Sequence, residues 1–183
     1  EARRAARIVG KLLTFARQNS VERVPTDINQ VVLDTLDLRR YPLRMQEVRL
    51  SVALAEALPL VSADPFQLQQ VFINLLSNAE QAVVSGGGPE RQIGVSSELR
   101  ADHILVSVTD SGGGIAREHL PHIFNPFYTT KPNGAGTGLG LAISFGIVRE
   151  HGGFIQASTP PGGGATFTVH LPIRDRRTPA PIR

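Results

Sequence analysis

The placement of glycine constrains this chain more than any other feature. Thirteen of its 18 glycines follow Asp110, mostly in clusters: Gly112 to Gly114, Gly134 to Gly140 at every second position, Gly152 with Gly153, and Gly162 to Gly164. In an average domain such clusters mark turns. Several here separate a β-like run from a helix-like run, where backbone without Cβ atoms can close on a ligand. The 183 residues suffice for one sizeable core, or one core with a short appendage. Composition is that of a globular chain, 41% hydrophobic and 19% charged. No apolar run reaches the ~18–20 residues that cross a bilayer. Zero cysteines exclude disulfides, zinc–thiolate sites and a cysteine nucleophile, which fits a reducing compartment. Because the first residue is Glu1, the sequence is expected to be a piece of something longer.

The net charge of +3 is concentrated at the ends. Residues 1–23 carry six Lys/Arg against Glu1 and Glu22, and residues 174–183 carry four Arg against Asp175. The body is nearly neutral and only 5% of the chain is aromatic, so no basic, aromatic-laced stripe marks a nucleic-acid partner.

Ala5, Ala6, Val9, Leu12, Leu13 and Ala16 recur at helical spacing over residues 2–18, with Arg3, Arg7, Lys11 and Gln18 opposite. That apolar stripe needs a partner. Residues 20–26 read as a linker. Asp27, with Gln30 three positions on, starts a helix to about Leu38, and 49–54 alternates as a strand. Asp64-Pro65-Phe66-Gln67 is a second helix start, a capping Asp followed by Pro at the first helical position. That helix runs to about Val84. Strands are expected at 92–98, 103–109, 153–158 and 165–171, a short helix near 116–120, and a helix from Leu139 to Glu150. These elements predict an α/β (α+β) two-layer sandwich with a mixed sheet packed on helices.

Between Phe66 and Ala79 no residue is charged. Leu68, Val71, Phe72, Leu75, Leu76, Ala79, Ala82 and Val83 form a core stripe, and Gln67, Gln70, Asn74, Asn78 and Gln81 a ridge beside it. A solvated face is usually rich in Lys and Glu, and Asn is a weak helix former. Two Asn one turn apart fit neutral ligands whose carbonyls hold a hard cation or meet phosphate-bound water. Val106-Ser107-Val108-Thr109-Asp110 runs as a strand into Ser111 and three glycines. The carboxylate suits either an exocyclic amine of a flat ligand or an Asx-turn. Gly134 to Gly140 leads into a helix start whose free N–H groups and dipole attract anions. No Walker A loop, dinucleotide fingerprint or protein-kinase catalytic loop occurs.

In order, these segments resemble the boxes of the sensor histidine kinase ATP-binding domain. Asp64 to Ala82 is similar to the N box and Asp110 to Ile115 to the G1 box. Ile123-Phe124-Asn125-Pro126-Phe127-Tyr128-Thr129-Thr130-Lys131 is similar to the F box, and Gly136-Thr137-Gly138-Leu139-Gly140-Leu141 to the G2 box. Gly162 to Phe167 closes the series. Residues 2–18 resemble the second helix of the family's dimerisation and phosphotransfer hairpin, in its nitrogen-regulation type. The resemblance implies the Bergerat fold of histidine kinases, gyrase-type ATPases, Hsp90 chaperones and MutL. The implied domains are 1–25 (hairpin helix and linker), 26–172 (catalytic ATP-binding domain) and 173–183 (disordered tail). ATP and Mg²⁺ are the implied cofactors. Asn78 is assigned to the metal, Asp110 to the adenine amine, and Gly112 and Gly114 to the adenine wall. Residues 129–138 are the lid, and Thr137 and Gly138 to Leu141 meet the phosphates. Ile115, Phe127, Thr130, Gly136 and Thr166 are also placed at the nucleotide. Lys131 either adds a cation or is a solvated lysine, and Phe124 and Phe127 either anchor the lid or belong to the core.

Two departures refine the expectation. Gyrase-type relatives carry a Glu base one turn before the metal-binding Asn; here Asn74 stands there and cannot accept a proton. Transfer to another segment is therefore favoured over hydrolysis. None of His103, His119, His122, His151 and His170 has the context of the family's phosphorylated histidine, so the acceptor is expected upstream of Glu1. His119 and His122 are expected in surface or capping roles. A response-regulator receiver domain is the implied partner and the full-length parent an implied homodimer. The location implied is cytoplasmic, with membrane contact only through upstream segments. An ATP-driven clamp, a serine kinase of the same fold and a nucleotide-binding pseudokinase are the competing readings.

Overall fold

The computed structural model describes residues 23–86, 90–131, 136–160 and 162–173. The helix expected over 2–18 and the tail from 174 lie outside the described residues. In chain order the elements are β1 (Val24–Thr26), α1 (Ile28–Met45), β2 (Arg49–Ala53), β3 (Val61–Ala63) and α2 (Pro65–Ser85). There follow β4 (Gln92–Arg100), β5 (His103–Asp110), α3 (Gly140–Glu150), β6 (Phe154–Ser158) and β7 (Thr166–Pro172). No helix among the described residues is long and apolar enough to cross a membrane.

The main sheet has the order β2-β4-β5-β7-β6. β2 lies parallel to β4 and the other pairs are antiparallel, so the sheet is mixed as expected. The helices cover one face. Alternation along β5 turns Ile104, Val106 and Val108 into the core. The same register turns Asp110 to the helix side, while the hydroxyls of Ser107 and Thr109 bond Thr168 and Thr166 on the other face. The strand that builds the core thus delivers a carboxylate to the rim beside α2.

Helix α2 is the spine. Asp64 caps it by accepting from the N–H groups of Phe66 (3.0 Å) and Gln67 (3.1 Å), and Pro65 needs no partner at the first position. Leu68, Val71, Phe72, Leu75, Leu76, Ala79 and Val83 are all buried against the sheet and the flanking helices. At roughly 1.5–3 kcal/mol for each large apolar side chain, this one stripe is a major share of the core.

Three local expectations fail. Helix α1 continues past Leu38 through Pro42 to Met45, because its last turn buries Leu43. Residues 116–120 form no helix; the backbone makes successive turns, His119 N–H to Ala116 O and His122 N–H to His119 O. Pro121 supplies no donor and disfavours helical geometry at Leu120. Inside the expected linker, Val24–Thr26 forms β1, antiparallel to β3, and Thr26 Oγ1 donates to Ala63 O at 3.0 Å.

Candidate functional site

The amides along α2 have different duties. Asn74 Nδ2 donates to Gly140 O (3.1 Å) and to Ser144 Oγ (3.2 Å), tying α2 to the first turn of α3. Asn78, one turn on, is half-buried and makes no side-chain hydrogen bond among the described residues. Its carbonyl is therefore available to a ligand. Gln81, the next turn again, accepts a bond from Lys131 Nζ. Glu80 points elsewhere, into an ion pair with Arg39 of α1. The ridge facing α3 is thus free of carboxylates.

Asp110 ends β5 nearly sealed, at 5% exposure. Its Oδ1 accepts from Gly112 N–H (2.9 Å) and Ala165 N–H (3.3 Å). Oδ2 makes no hydrogen bond among the described residues, which leaves one lone-pair face for a ligand donor. Desolvation by burial raises the carboxyl pKa above its ordinary value, and the two N–H bonds oppose that rise. The loop beyond it lies against α2: a Cβ on Gly112 would stand 2.8 Å from Ala82 Cβ, so only glycine lets the backbone approach this closely. Ile115 N–H donates to Thr159 Oγ1 (3.0 Å), and Thr159 Oγ1 donates back to Ile115 O (3.1 Å).

The turn segment that follows is knotted around Tyr128. His119 Nδ1 lies 2.8 Å from Tyr128 Oη, and the His122 ring is tilted against the tyrosine at 5.6 Å. Phe127 adopts φ 66°, a costly conformation for a bulky residue, and its N–H donates to Gly138 O at 3.0 Å. Gly138 is itself left-handed (φ 64°), and a Cβ there would strike the Phe127 carbonyl carbon at 2.4 Å. Thus strained Phe127 and left-handed Gly138 join the turn to the start of α3. That start is unlike the other two. Asp27 and Asp64 cap α1 and α2, whereas α3 begins at Gly140 with no side-chain cap hydrogen bond. Its unsatisfied N–H groups and positive dipole end favour an anion.

Along α2 the structure thus places Gly112 of the Asp110 loop on Ala82, Lys131 on Gln81 and Gly140 beside Asn74, while Gly114 and Ile115 lie against Gly164 and Thr159 and Gly136 against Thr129 and Lys131. The Leu139 side chain is buried and Leu141 packs on the core, so these two offer backbone only. Thr130 is exposed and makes no side-chain bond among the described residues. Phe127 is 59% exposed, so it lies outside the core, at the junction between the turn segment and the start of α3. Phe124 contacts the core and lies tilted against Phe145 of α3, ring centroids 5.5 Å apart. Thr166 is not brought to this group: its hydroxyl bonds Thr109, which alternates to the sheet face opposite Asp110.

Sequence reasoning read Ala82 as a core position and missed that its small side chain admits Gly112; it also missed Thr159 and Ala165, which hold the loop. It also missed His151, whose Nε2 accepts from Asp64 N–H at 3.0 Å and whose Nδ1 lies 2.8 Å from Ile147 O.

Comparison with known proteins bears on the family and the fold. The family described as histidine kinase-, DNA gyrase B-, and HSP90-like ATPase matches residues 63–175. Sensor histidine kinase ZraS of Escherichia coli K12 is 38% identical over 177 residues, which is 97% of this chain and 37% of ZraS. The chain thus spans little more than a third of that relative. The catalytic domain of histidine kinase ThkA is 31% identical, with a TM-score of 0.73 over 83% of this chain and 96% of that domain. ThkA solved with response regulator protein TrrA is 28% identical, with a TM-score of 0.80 over 97% of this chain and 49% of that one. The chain belongs to the histidine kinase-, DNA gyrase B- and HSP90-like ATPase family, and within it to the catalytic ATP-binding domains of sensor histidine kinases.

Proposed function

We propose that this chain binds Mg·ATP between α2, the loop after Asp110 and the start of α3, and that its parent transfers the γ-phosphoryl to a histidine in another segment. The observation that carries the reading is the single open face of Asp110. A buried carboxylate with Oδ1 committed and Oδ2 free matches the exocyclic amine of adenine, and guanine presents a carbonyl at that edge. The uncapped start of α3 suits the phosphates. Asn78 offers one neutral oxygen. Among the described residues no three His, Asp or Glu side chains converge to hold a metal, so the donor set suits Mg²⁺ held mainly by phosphates and water. Bound there, the ion neutralises charge on the phosphate oxygens.

Transfer is favoured over hydrolysis because the ridge of α2 carries no base. Asn74 cannot take a proton, and its amide is committed to Gly140 and Ser144. In the transfer, an imidazole nitrogen bonds to the γ-phosphorus as the bond to the bridging oxygen breaks. ADP leaves with that electron pair, and the imidazole N–H proton passes to solvent. None of the five histidines has the acceptor's sequence context, and His151 is engaged on both ring nitrogens within the fold.

In the parent, the phosphoryl group is relayed to the aspartate of a response-regulator receiver domain; the solved pairing of ThkA with TrrA supports this partner. The parent acts as a homodimer, on the cytoplasmic side, with any membrane attachment in other segments. The catalytic domain proper begins at β1, near Val24, and ends near Pro172.

Calorimetric titration tests the site. Saturable binding of Mg·ATP is expected, with none for GTP and none for Asp110→Asn. The activity is tested by incubating the full-length parent with γ-labelled ATP: an acid-labile, alkali-stable phosphoprotein is expected. A folded, ATP-binding parent that forms no such product would refute the transfer.

A further inference from the structure

Lys131 is the only ammonium that the described structure sets against the α2 ridge, and what holds it there is Gln81. Its Nζ donates to Gln81 Oε1, one helical turn beyond Asn78 on the same ridge. The stem is partly covered. Lys131 N–H donates to Thr129 Oγ1 at 3.2 Å, and the backbone at Gly136 lies so close that a Cβ there would stand 3.2 Å from Lys131 Cδ. Burial lowers the lysine pKa from its ordinary value, as expected for an ammonium drawn in from water. The chemistry of the seat matters. A glutamine carbonyl holds an ammonium through a neutral bond and leaves its charge uncompensated, whereas a glutamate in that place forms an ion pair and cancels it. The one carboxylate adjacent in sequence, Glu80, is engaged by Arg39 on the far side of the helix.

Resting on the nucleotide reading above, we propose that Gln81 is a positioning residue: it parks Lys131 on the α2 ridge one turn beyond Asn78, so that the lysine meets the terminal phosphate of ATP and discriminates ATP from ADP. An arriving phosphate oxygen is a stronger acceptor than an amide carbonyl, and the ammonium exchanges one for the other with little movement.

The test is calorimetric titration of the 183-residue chain with Mg·ATP and Mg·ADP, using unaltered protein, Gln81→Leu, Gln81→Glu, Lys131→Ala and the Gln81→Leu/Lys131→Ala pair. Circular dichroism melts check that each is folded. Loss of a charge-assisted bond is expected to weaken ATP about tenfold in Lys131→Ala, with ADP changed less than about twofold. Gln81→Leu is expected to lower the ATP-to-ADP preference in the same sense, and the double variant to lose no more than Lys131→Ala alone. Gln81→Glu, with the lysine held but its charge paired, is expected to lower the preference as well. A purely structural glutamine would move both nucleotides together. If unaltered protein binds ATP and either Gln81 variant keeps its ATP-to-ADP ratio, or if the two single losses multiply in the double variant, the positioning role is overturned while the nucleotide site stands. If folded, unaltered protein binds neither nucleotide, both readings fall.

Discussion

Asp110 is a carboxylate kept where ionisation is costly, and its cost and its use share one cause. Burial raises its pKa, and only one of its oxygens is satisfied by the protein. A raised folded-state pKa means the native state holds its proton longer than the unfolded chain. The stability this contributes is complete below the ordinary carboxyl value of 3.8 and is lost as pH rises through the shifted pKa. Near neutral pH the ionised group is a burden to the empty protein. Asn in its place keeps an oxygen for Gly112 N–H and Ala165 N–H, removes the charge, and turns an N–H₂ toward the ligand's own donor. Asp110→Asn is therefore expected to melt higher than the unaltered chain at neutral pH, with the gap closing toward about pH 4, while losing ATP. Thermal denaturation of both proteins across that range checks it; a variant that melts lower at neutral pH would show the carboxylate to be structural.

The helices meet through two polar ties that no periodicity announces. His151, at the end of α3, accepts from Asp64 N–H at the start of α2 while its other nitrogen faces Ile147 O, so only the neutral Nδ1–H form satisfies both. Burial lowers its pKa from 6.5. The contribution is present above that value and is lost as pH falls through the shifted pKa. His151→Ala is expected to cost about 1–3 kcal/mol near pH 7 and to flatten the acid side of the stability profile, as urea titrations at several pH values would show. Asn74→Ala, which frees Gly140 O and Ser144 from α2, is expected to cost about 1–2 kcal/mol and to raise hydrogen exchange in the first turn of α3. Neither tie was legible in the sequence, because each joins residues far apart along the chain. The boxes were legible for the opposite reason. Gly112 beside Ala82, Gly138 beside Phe127 and the Asp64 cap each solve a local backbone problem, and a local problem leaves a local residue pattern. The stripe of α2 and the strand pairs were read from periodicity. β1 and β3, three residues each, are too short to show one. The turns around Pro121 were mistaken for helix because the spacing of apolar residues there carries no record of the missing N–H.

At the scale of the whole molecule, core and site share α2. Its apolar stripe lies within the buried cluster, and its polar ridge touches Gly140 through Asn74, Lys131 through Gln81 and the Asp110 loop through Ala82. A ligand held on that ridge is held by the element whose loss unfolds everything else. Binding is therefore expected to be felt by global unfolding and not only by the loops that touch the nucleotide. By linkage, Mg·ATP at a hundred times its Kd adds about 2.7 kcal/mol. For a domain of this size that is a rise in Tm on the order of 5–10 °C. The transition is expected to shift as a single step, seen alike by far-UV dichroism and by calorimetric heat, and to stay unmoved by GTP or in Asp110→Asn. Two separated transitions with nucleotide, one shifted and one fixed, would instead mean that the turn segment and α3 form a unit that binds and melts apart from α2. The Asn74 tie would then be too weak to carry the free energy of binding into the core, and Asn74→Ala would change the ATP-induced shift not at all.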